Sequence, residues 1–357
     1  MQRLRILLTT CGALTSPSLI DAIKQNGERE ITVVGIDGFP HVAGALLVDR
    51  FYQVPPSSED ETAFVERIVE IVGREAIDVI LPCGHEDCLA IAKRRDMFEA
   101  AGAKVAVSPY EILVRGFDKG LVYETLREHD AGAPEFYCAS TFDEFLVASD
   151  RLGYPKEPIV LKPRLSRGGR GVMILHPDID FASLLNSKAD INYPFEYVAG
   201  LLRQQRQFPQ VIVMEYLPGE FYSVDLLADH GRPLITVPKI RLWGTPSQTL
   251  RGLVDLNPPV IAVAQKACRA FGFSYNVNFE IKLSRTGAPM IYDSNPRLAA
   301  STAFCAAAGA NLVYFAIKLA LGEEIPTLAI KNRVMMIRYF KELYLRNGQV
   351  QDSSCPV

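Results

Sequence analysis

Over its first hundred or so residues the chain alternates short apolar runs with amphipathic segments, and this alternation narrows the available folds more than any other feature. Ile6-Leu7-Leu8 gives way to Ser18 to Gln25, then Ile31 to Ile36, Phe64 to Arg74, Val79 to Pro82, Cys88 to Ala101 and Val105 to Val107. Apolar runs without in-and-out alternation belong to strands buried on both faces, as in a parallel sheet covered by helices. Strand, helix and strand repeated in this way predict an α/β unit over 1–113, with ligands expected where the strands end.

From about Phe117 the pattern changes. Asp118-Lys119 opens a helical segment running to His129, and Ala133-Pro134 closes it. We expect a second unit over 114–345, divided into a lid subdomain at about 134–213 and a C-terminal subdomain at about 214–345. Its first elements read as strands at Ile159 to Pro163 and Val172 to Leu175, a helix around Phe181 to Leu185 and a long strand from Val211 to Leu217. Alternating strands then run through Tyr292, and helices cover Val260 to Phe271 and Ala299 to Leu321. Val334 to Tyr344 reads as one last strand, and 346–357 as a polar tail. The expected class is thus α/β followed by α+β, with no internal repeat.

A formal net charge of −3 and a pI near 6.0 give no general pull toward nucleic acid or an anionic membrane, so the basic residues should act locally on a small anionic ligand. The run Leu4 to Leu8 is too short for a signal-peptide core, and no stretch approaches the roughly 20 apolar residues that span a bilayer. Seven scattered cysteines, an odd number, point to free thiols in a reducing cytoplasm.

Three clusters carry chemistry. The loop Arg164-Leu165-Ser166-Arg167-Gly168-Gly169-Arg170-Gly171 follows Lys162 between two apolar runs. Its glycines let backbone amides approach a polyphosphate while its cations balance the charge, so it reads as a mobile lid; a solvated hairpin turn is the plain alternative. It is no Walker loop, since no Gly-Lys-Ser/Thr follows and both flanks look like strands. Glu280 and Asp293, with Asn295, lie on two strands joined by the turn Ser284 to Pro289, so the carboxylates face each other across an antiparallel pair. Such a hard oxygen set suits Mg²⁺; the alternative is a surface pair with Arg285 or Lys282. In Met214 to Asp225 an apolar strand turns at Pro218-Gly219 and resumes, presenting backbone groups to a purine edge, although alone it is only a β-hairpin.

Taken in this order, the clusters resemble the ATP-grasp superfamily from the N-terminus to about Glu324, and most closely one ATP-grasp half of the carbamoyl phosphate synthetase large subunit. The resemblance implies a pre-ATP-grasp domain at 1–113, then a two-part ATP-grasp domain, using ATP and one or two Mg²⁺ ions, with Mn²⁺ as a substitute. It implies that Lys119 and Lys162 contact nucleotide phosphates under a lid containing Ser166, Arg167, Gly168, Gly169 and Gly171. Glu215 and Leu217 would hydrogen-bond adenine from a hinge that includes Tyr216, and Glu220 would take the ribose. Glu280, Asp293 and Asn295 would hold metal, while Arg297 of Asn295-Pro296-Arg297 would face the transferred phosphate. Lys162, Asn295 and Arg297 are the catalytic candidates, and relatives are often homodimers.

The sequence also departs from that pattern. Where the synthetase half has an arginine shortly after Asn-Pro-Arg, this chain has Ala299-Ala300-Ser301, which argues against bicarbonate or carbamate chemistry, and Asp293 replaces the usual glutamate. The first strand ends in Thr9-Thr10-Cys11-Gly12-Ala13, poorer in glycine than a dinucleotide fingerprint. Lys239 and Arg241 share a strand face that meets either phosphate or solvent, and Lys239 is placed with the nucleotide. Cys83, His85 and Cys88 lack a visible fourth zinc ligand, so Pro82 to Asp87 reads as the loop ending a strand. The expected reaction joins a small carboxylate to an amine. Carboxyphosphate chemistry, a non-catalytic nucleotide sensor and a plain dinucleotide oxidoreductase are the rivals.

Overall fold

The structure is a computed structural model describing residues 3–166, 169–180, 182, 191–245, 248–346 and 349–351. The first unit is the parallel sheet its sequence predicts. Strands β1 (Leu4–Leu8), β2 (Ile31–Asp37), β3 (Arg50–Gln53), β4 (Val79–Leu81) and β5 (Lys104–Val105) lie in the order β3-β2-β1-β4-β5, every pair parallel. Ile6, Leu7, Leu8, Val33, Val34, Val79 and Ile80 are all 0% exposed, which is why these runs show no alternation. The helix His85–Lys93 begins where a loop was expected to continue, with Glu86 and Asp87 in its first turn, where carboxylates complement the helix dipole.

The second unit holds two more sheets. In the first, β6 (Phe136–Ala139), β7 (Ile159–Pro163), β8 (Met173–His176), β9 (Asn192–Pro194) and β10 (Val211–Glu215) run in the order β6-β10-β7-β8-β9. In the other, β11 (Phe221–Asp229), β12 (Arg232–Thr245), β13 (Gln248–Val254), β14 (Tyr275–Leu283), β15 (Pro289–Asn295) and β16 (Met335–Ile337) form an antiparallel sheet ordered β15-β14-β11-β12-β13-β16. The segment containing Pro218-Gly219 is therefore no hairpin: β10 and β11 belong to different sheets, and the chain crosses between them. Gly219 makes that crossing against β14, donating its N–H to the Leu283 carbonyl at 3.0 Å, and an added Cβ would lie 2.5 Å from the same oxygen.

Two expected elements are corrected. Ala299 to Leu321 is not one helix but turns at 299–303, a short helix Phe304–Ala307 and a second helix Leu312–Ala320. Gly309 at φ 90° breaks the run, and Asn311 starts the second helix by accepting the Tyr314 N–H at 3.1 Å. Val334 to Tyr344 forms a strand only over Met335–Ile337, flanked by bonds from the Val254 N–H to the Val334 carbonyl and from the Arg338 N–H to the Leu250 carbonyl, both at 2.8 Å. Tyr344–Arg346 pairs separately with Gln349–Gln351. The helix expected around Phe181 to Leu185 falls largely outside the described residues, as do Arg167 and Gly168. Among the described residues no helix is long and apolar enough to cross a membrane.

Candidate active site

The turn between β14 and β15 sets the register on which the site depends. Ser284 donates its N–H to the Ala288 carbonyl at 2.8 Å, Gly287 supplies a positive φ of 81°, and the strands then pair Glu280 with Asp293 and Asn278 with Asn295. Because side chains alternate along a strand, cross-strand partners share a face. Asp293, Glu280, Ser223 and Lys239 form one row across β15, β14, β11 and β12, and Lys282 and Phe221 form the next. Neither Lys282 nor Arg285 pairs with the two acids: the Lys282 ammonium lies over the Tyr216 ring, and Arg285 bonds Glu157.

The cations come from the other side. Asp118 caps the helix Lys119–Glu128, accepting the Gly120 N–H at 2.9 Å, and also accepts from Arg164 Nε at 2.8 Å. That capping sets Lys119 at the helix start, where its ammonium reaches Asp293 Oδ1 at 3.0 Å and the Ser166 carbonyl at 3.3 Å. Lys162, on β7 and 1% exposed, donates to the Tyr292 carbonyl at 2.7 Å and to the Tyr123 hydroxyl at 3.0 Å.

The charges depend on one another. Burial and the facing Asp293 both raise the Glu280 carboxyl. Burial acts the same way on Asp293, but Lys119 and Lys162 outweigh it and hold that carboxyl below its ordinary value. Burial lowers Lys162 to about 7. Two opposed buried carboxylates with an amide oxygen beside them fit a hard divalent cation, which would relieve their repulsion. No group of three His, Cys, Asp or Glu poised for a metal occurs among the described residues, and the His85 ring lies tilted against that of Phe117, 3.7 Å between centroids.

Three hollows with shared lining residues surround this centre. A cleft of about 470 Å³ lies between the β7–β8 hairpin and the β11–β15 face. Val160, Val172, Ile174, Leu217 and Phe221 give it apolar walls, and Lys119, Lys162, Ser166, Gly169, Glu280 and Asp293 give it a polar end. Flat apolar walls leading to clustered cations fit a nucleotide, its base in the slot and its phosphates at the lysines. A compact hollow of about 90 Å³ adjoins it, lined by Arg241, Thr249, Asn278, Glu280, Asp293, Asn295 and Arg297. Arg297 also borders an open cleft of about 770 Å³ at the strand ends of the parallel sheet, with Thr10, Asp37 and Asp87.

The structure therefore places Lys119, Lys162, Ser166, Gly169, Tyr216, Leu217, Glu280 and Asp293 on the cleft, and Gly169, Glu280, Asp293, Asn295 and Arg297 on the hollow that shares its wall. Lys239, Glu215, Glu220 and Gly171 are not among the lining residues of these hollows. Lys239 is 2% exposed and forms an ion pair with Asp225, so its ammonium is withdrawn beneath the site rather than offered to a nucleotide. The Glu215 carboxylate accepts the Glu135 N–H at 2.8 Å, Glu220 Oε2 lies 3.5 Å from the Tyr222 hydroxyl, and Gly171 sits so near Pro163 that an added Cβ would lie 2.6 Å from its ring. Sequence reading gave Tyr292 and Tyr123 no role, and named Lys282 only as an alternative partner for the acids. Two-residue spacing from Glu280 would have found Lys282, whereas nothing marks the tyrosines, whose roles arise from burial.

Residues 207–343 match the family described as ATP-grasp in the biosynthetic pathway with Ter operon. Over 293 residues, covering 78% of this chain and 25% of the relative, the chain is 22% identical to a carbamoyl phosphate synthase arginine-specific large chain of Geobacillus stearothermophilus. It thus spans about a quarter of the length of the curated relatives it matches. Among solved structures it resembles a biotin carboxylase from Campylobacter jejuni, in complex with β-γ-ATP, at a TM-score of 0.66 and 16% identity over 94% of this chain and 74% of that one. An N5-carboxyaminoimidazole synthetase from Staphylococcus aureus, complexed with ADP, gives a TM-score of 0.65 and 14% identity over 91% and 79%.

Proposed function

From the ATP-grasp fold that this chain carries, we propose that it is an ATP-dependent ligase, one that activates a small carboxylate as an acyl phosphate and passes the acyl group to an amine. The observation that supports this most is the convergence of Lys119 and Lys162 with Glu280 and Asp293, from separate elements, on a single cleft of nucleotide size, with Asn295 lining the small hollow beside it.

In this reading the base lies between the apolar walls, with Tyr216 and Leu217 at its edge and the triphosphate running toward Lys119 and Lys162. Glu280, Asp293 and Asn295 would hold one or two magnesium ions, which would supply positive charge against the phosphates. The substrate carboxylate enters from the side of Arg297 and attacks the γ-phosphorus. The bond from phosphorus to the β,γ-bridging oxygen breaks, its electron pair leaves with ADP, and the acyl phosphate forms. An amine then displaces phosphate and loses a proton, leaving an amide. The chain's own residues provide position and charge rather than a covalent intermediate.

Phosphate release from ATP and Mg²⁺, screened across carboxylates paired with amines, tests the proposal. A carboxylate-dependent release that disappears in Lys162→Ala and Glu280→Ala is the expected result. Release stimulated by bicarbonate alone would favour carboxyphosphate chemistry, and nucleotide binding without turnover on any pair would favour a sensor.

A further inference from the structure

Arg241 occupies the point where the nucleotide cleft opens into the compact hollow, and it lines both. Its place follows from the sheet. On β12 it lies two residues beyond Lys239 on the same face, next to the Tyr222–Ile240 pair, and its register partner on β13 is Gly252, which has no side chain to compete for the space. A bulge between Arg241 and Trp243 interrupts the β12–β13 ladder immediately afterwards. Bulges re-aim the side chains beside them.

The guanidinium is held but not neutralised. It lies 4.6 Å above the Phe221 ring, and its Nε donates to the Thr249 hydroxyl at 3.0 Å. Among the described residues no carboxylate forms an ion pair with it, whereas Lys119 has Asp293 and Lys239 has Asp225. Stacking and one neutral hydrogen bond fix the plane of the fork, and its two terminal nitrogens find no acceptor in the described protein. Glu280 acts on this guanidinium through space without bonding it, and a fork fixed in a partly desolvated cleft with its terminal nitrogens unbonded suits an incoming anion with paired oxygens. Arg297 lines the same hollow, with Glu280, Asp293 and Asn295 completing its wall.

Resting on the proposed ATP site, we infer that Arg241 is a further catalytic residue, a second guanidinium that grips the γ-phosphoryl group as it passes from the nucleotide cleft to the carboxylate at Arg297. This supplies a positive charge that the small run Ala299-Ala300-Ser301 does not. No proton moves at Arg241. Its fork follows the phosphoryl oxygens while the bond to ADP breaks and the bond to the carboxylate oxygen forms.

The test compares ADP with the β,γ-imido analogue of ATP, both with Mg²⁺, by titration calorimetry on the whole chain. In Arg241→Met, ADP affinity should stay within about twofold, while affinity for the imido analogue should fall about 10- to 100-fold, the loss of one or two charge-assisted hydrogen bonds. Arg241→Lys should fall in between, keeping the charge but losing the fork. Unchanged ADP binding serves as the folding control. Equal weakening of both nucleotides in Met and Lys variants alike would make Arg241 a wall of the cleft, and an unaffected imido analogue would remove it from the γ-phosphate; either overturns the inference. A wild-type chain binding neither nucleotide would instead overturn the ATP site on which it rests.

Discussion

Burial lowers Lys162 to about 7, with the neighbouring Lys119 acting in the same direction and Asp293 opposing both. Between that value and the ordinary lysine range near ~10.4, the unfolded chain keeps a proton that the folded chain has released. The free protein therefore gains stability as pH rises through this window, and carries the full cost of a buried ammonium below about 7. Phosphate oxygens beside the ammonium would favour its charged form, so ADP binding at pH ~8 should take up a proton. Calorimetry in two buffers of different ionisation enthalpy reads that uptake directly. Lys162→Met should abolish it and weaken nucleotide binding in the same titrations. A wild-type chain that binds ADP with no proton uptake would place Lys162 away from the phosphates. At this scale the sequence was readable where a turn fixed the register, as at Glu280 and Asp293. It was not readable at Lys239 and Arg241, which share a face two residues apart. Only the pairing of β11 with β12 shows that Asp225 takes the lysine, while the arginine is left for the cleft.

The same ion pair organises the elements beneath the site. Asp225 Oδ1 accepts the Thr302 hydroxyl at 2.6 Å, Thr302 in turn accepts the Ala299 N–H at 2.8 Å, and Lys239 donates to the Ser301 carbonyl at 3.3 Å. These bonds hold 299–302 out of helix, which an alanine-rich composition could not foretell, because the competing acceptors lie on distant strands. Asp225→Asn leaves a buried ammonium without its counter-charge and should cost about 3–5 kcal/mol, read by denaturant unfolding. A double Asp225→Leu, Lys239→Leu variant should recover much of that loss; if it is as unstable as the single variant, the pair matters for its hydrogen bonds to 299–302 rather than for its charge balance. The hinge makes the second case. Its sequence looked like a hairpin because a turn signal between apolar runs does not say whether both runs join one sheet. Gly219→Ala, forced against the Leu283 carbonyl, should destabilise by about 1–3 kcal/mol and weaken adenine nucleotides. An Ala variant as stable as wild type would show that the crossing can shift without loss.

For the molecule as a whole, the parallel first unit was legible because burial on both faces leaves a plain mark in sequence, whereas the facing of the two later sheets was not. What places β7 opposite β14 and β15 is a set of tertiary bonds, Lys162 to the Tyr292 carbonyl and Lys119 to Asp293, between residues more than a hundred positions apart. Those bonds also determine how a ligand would act on stability. A nucleotide held by one sheet alone would stabilise that sheet against local opening and leave the other as it was. One gripped by Lys162 of β7 and by Glu280 and Asp293 of β14 and β15 must be released before either sheet opens. At a concentration about 100 times its dissociation constant, a ligand of the native state adds about 2.7 kcal/mol, which slows exchange through unfolding roughly 100-fold. Hydrogen exchange with MgATP should therefore show the slowest amides of β7 and β10 and those of β11, β14 and β15 slowing together and by similar factors. In Glu280→Gln the Mg²⁺-dependent part of that protection should disappear from all five strands at once. Protection confined to one sheet would mean that the lysines and the carboxylates do not hold the same ligand, and the ligase assignment would fail with it.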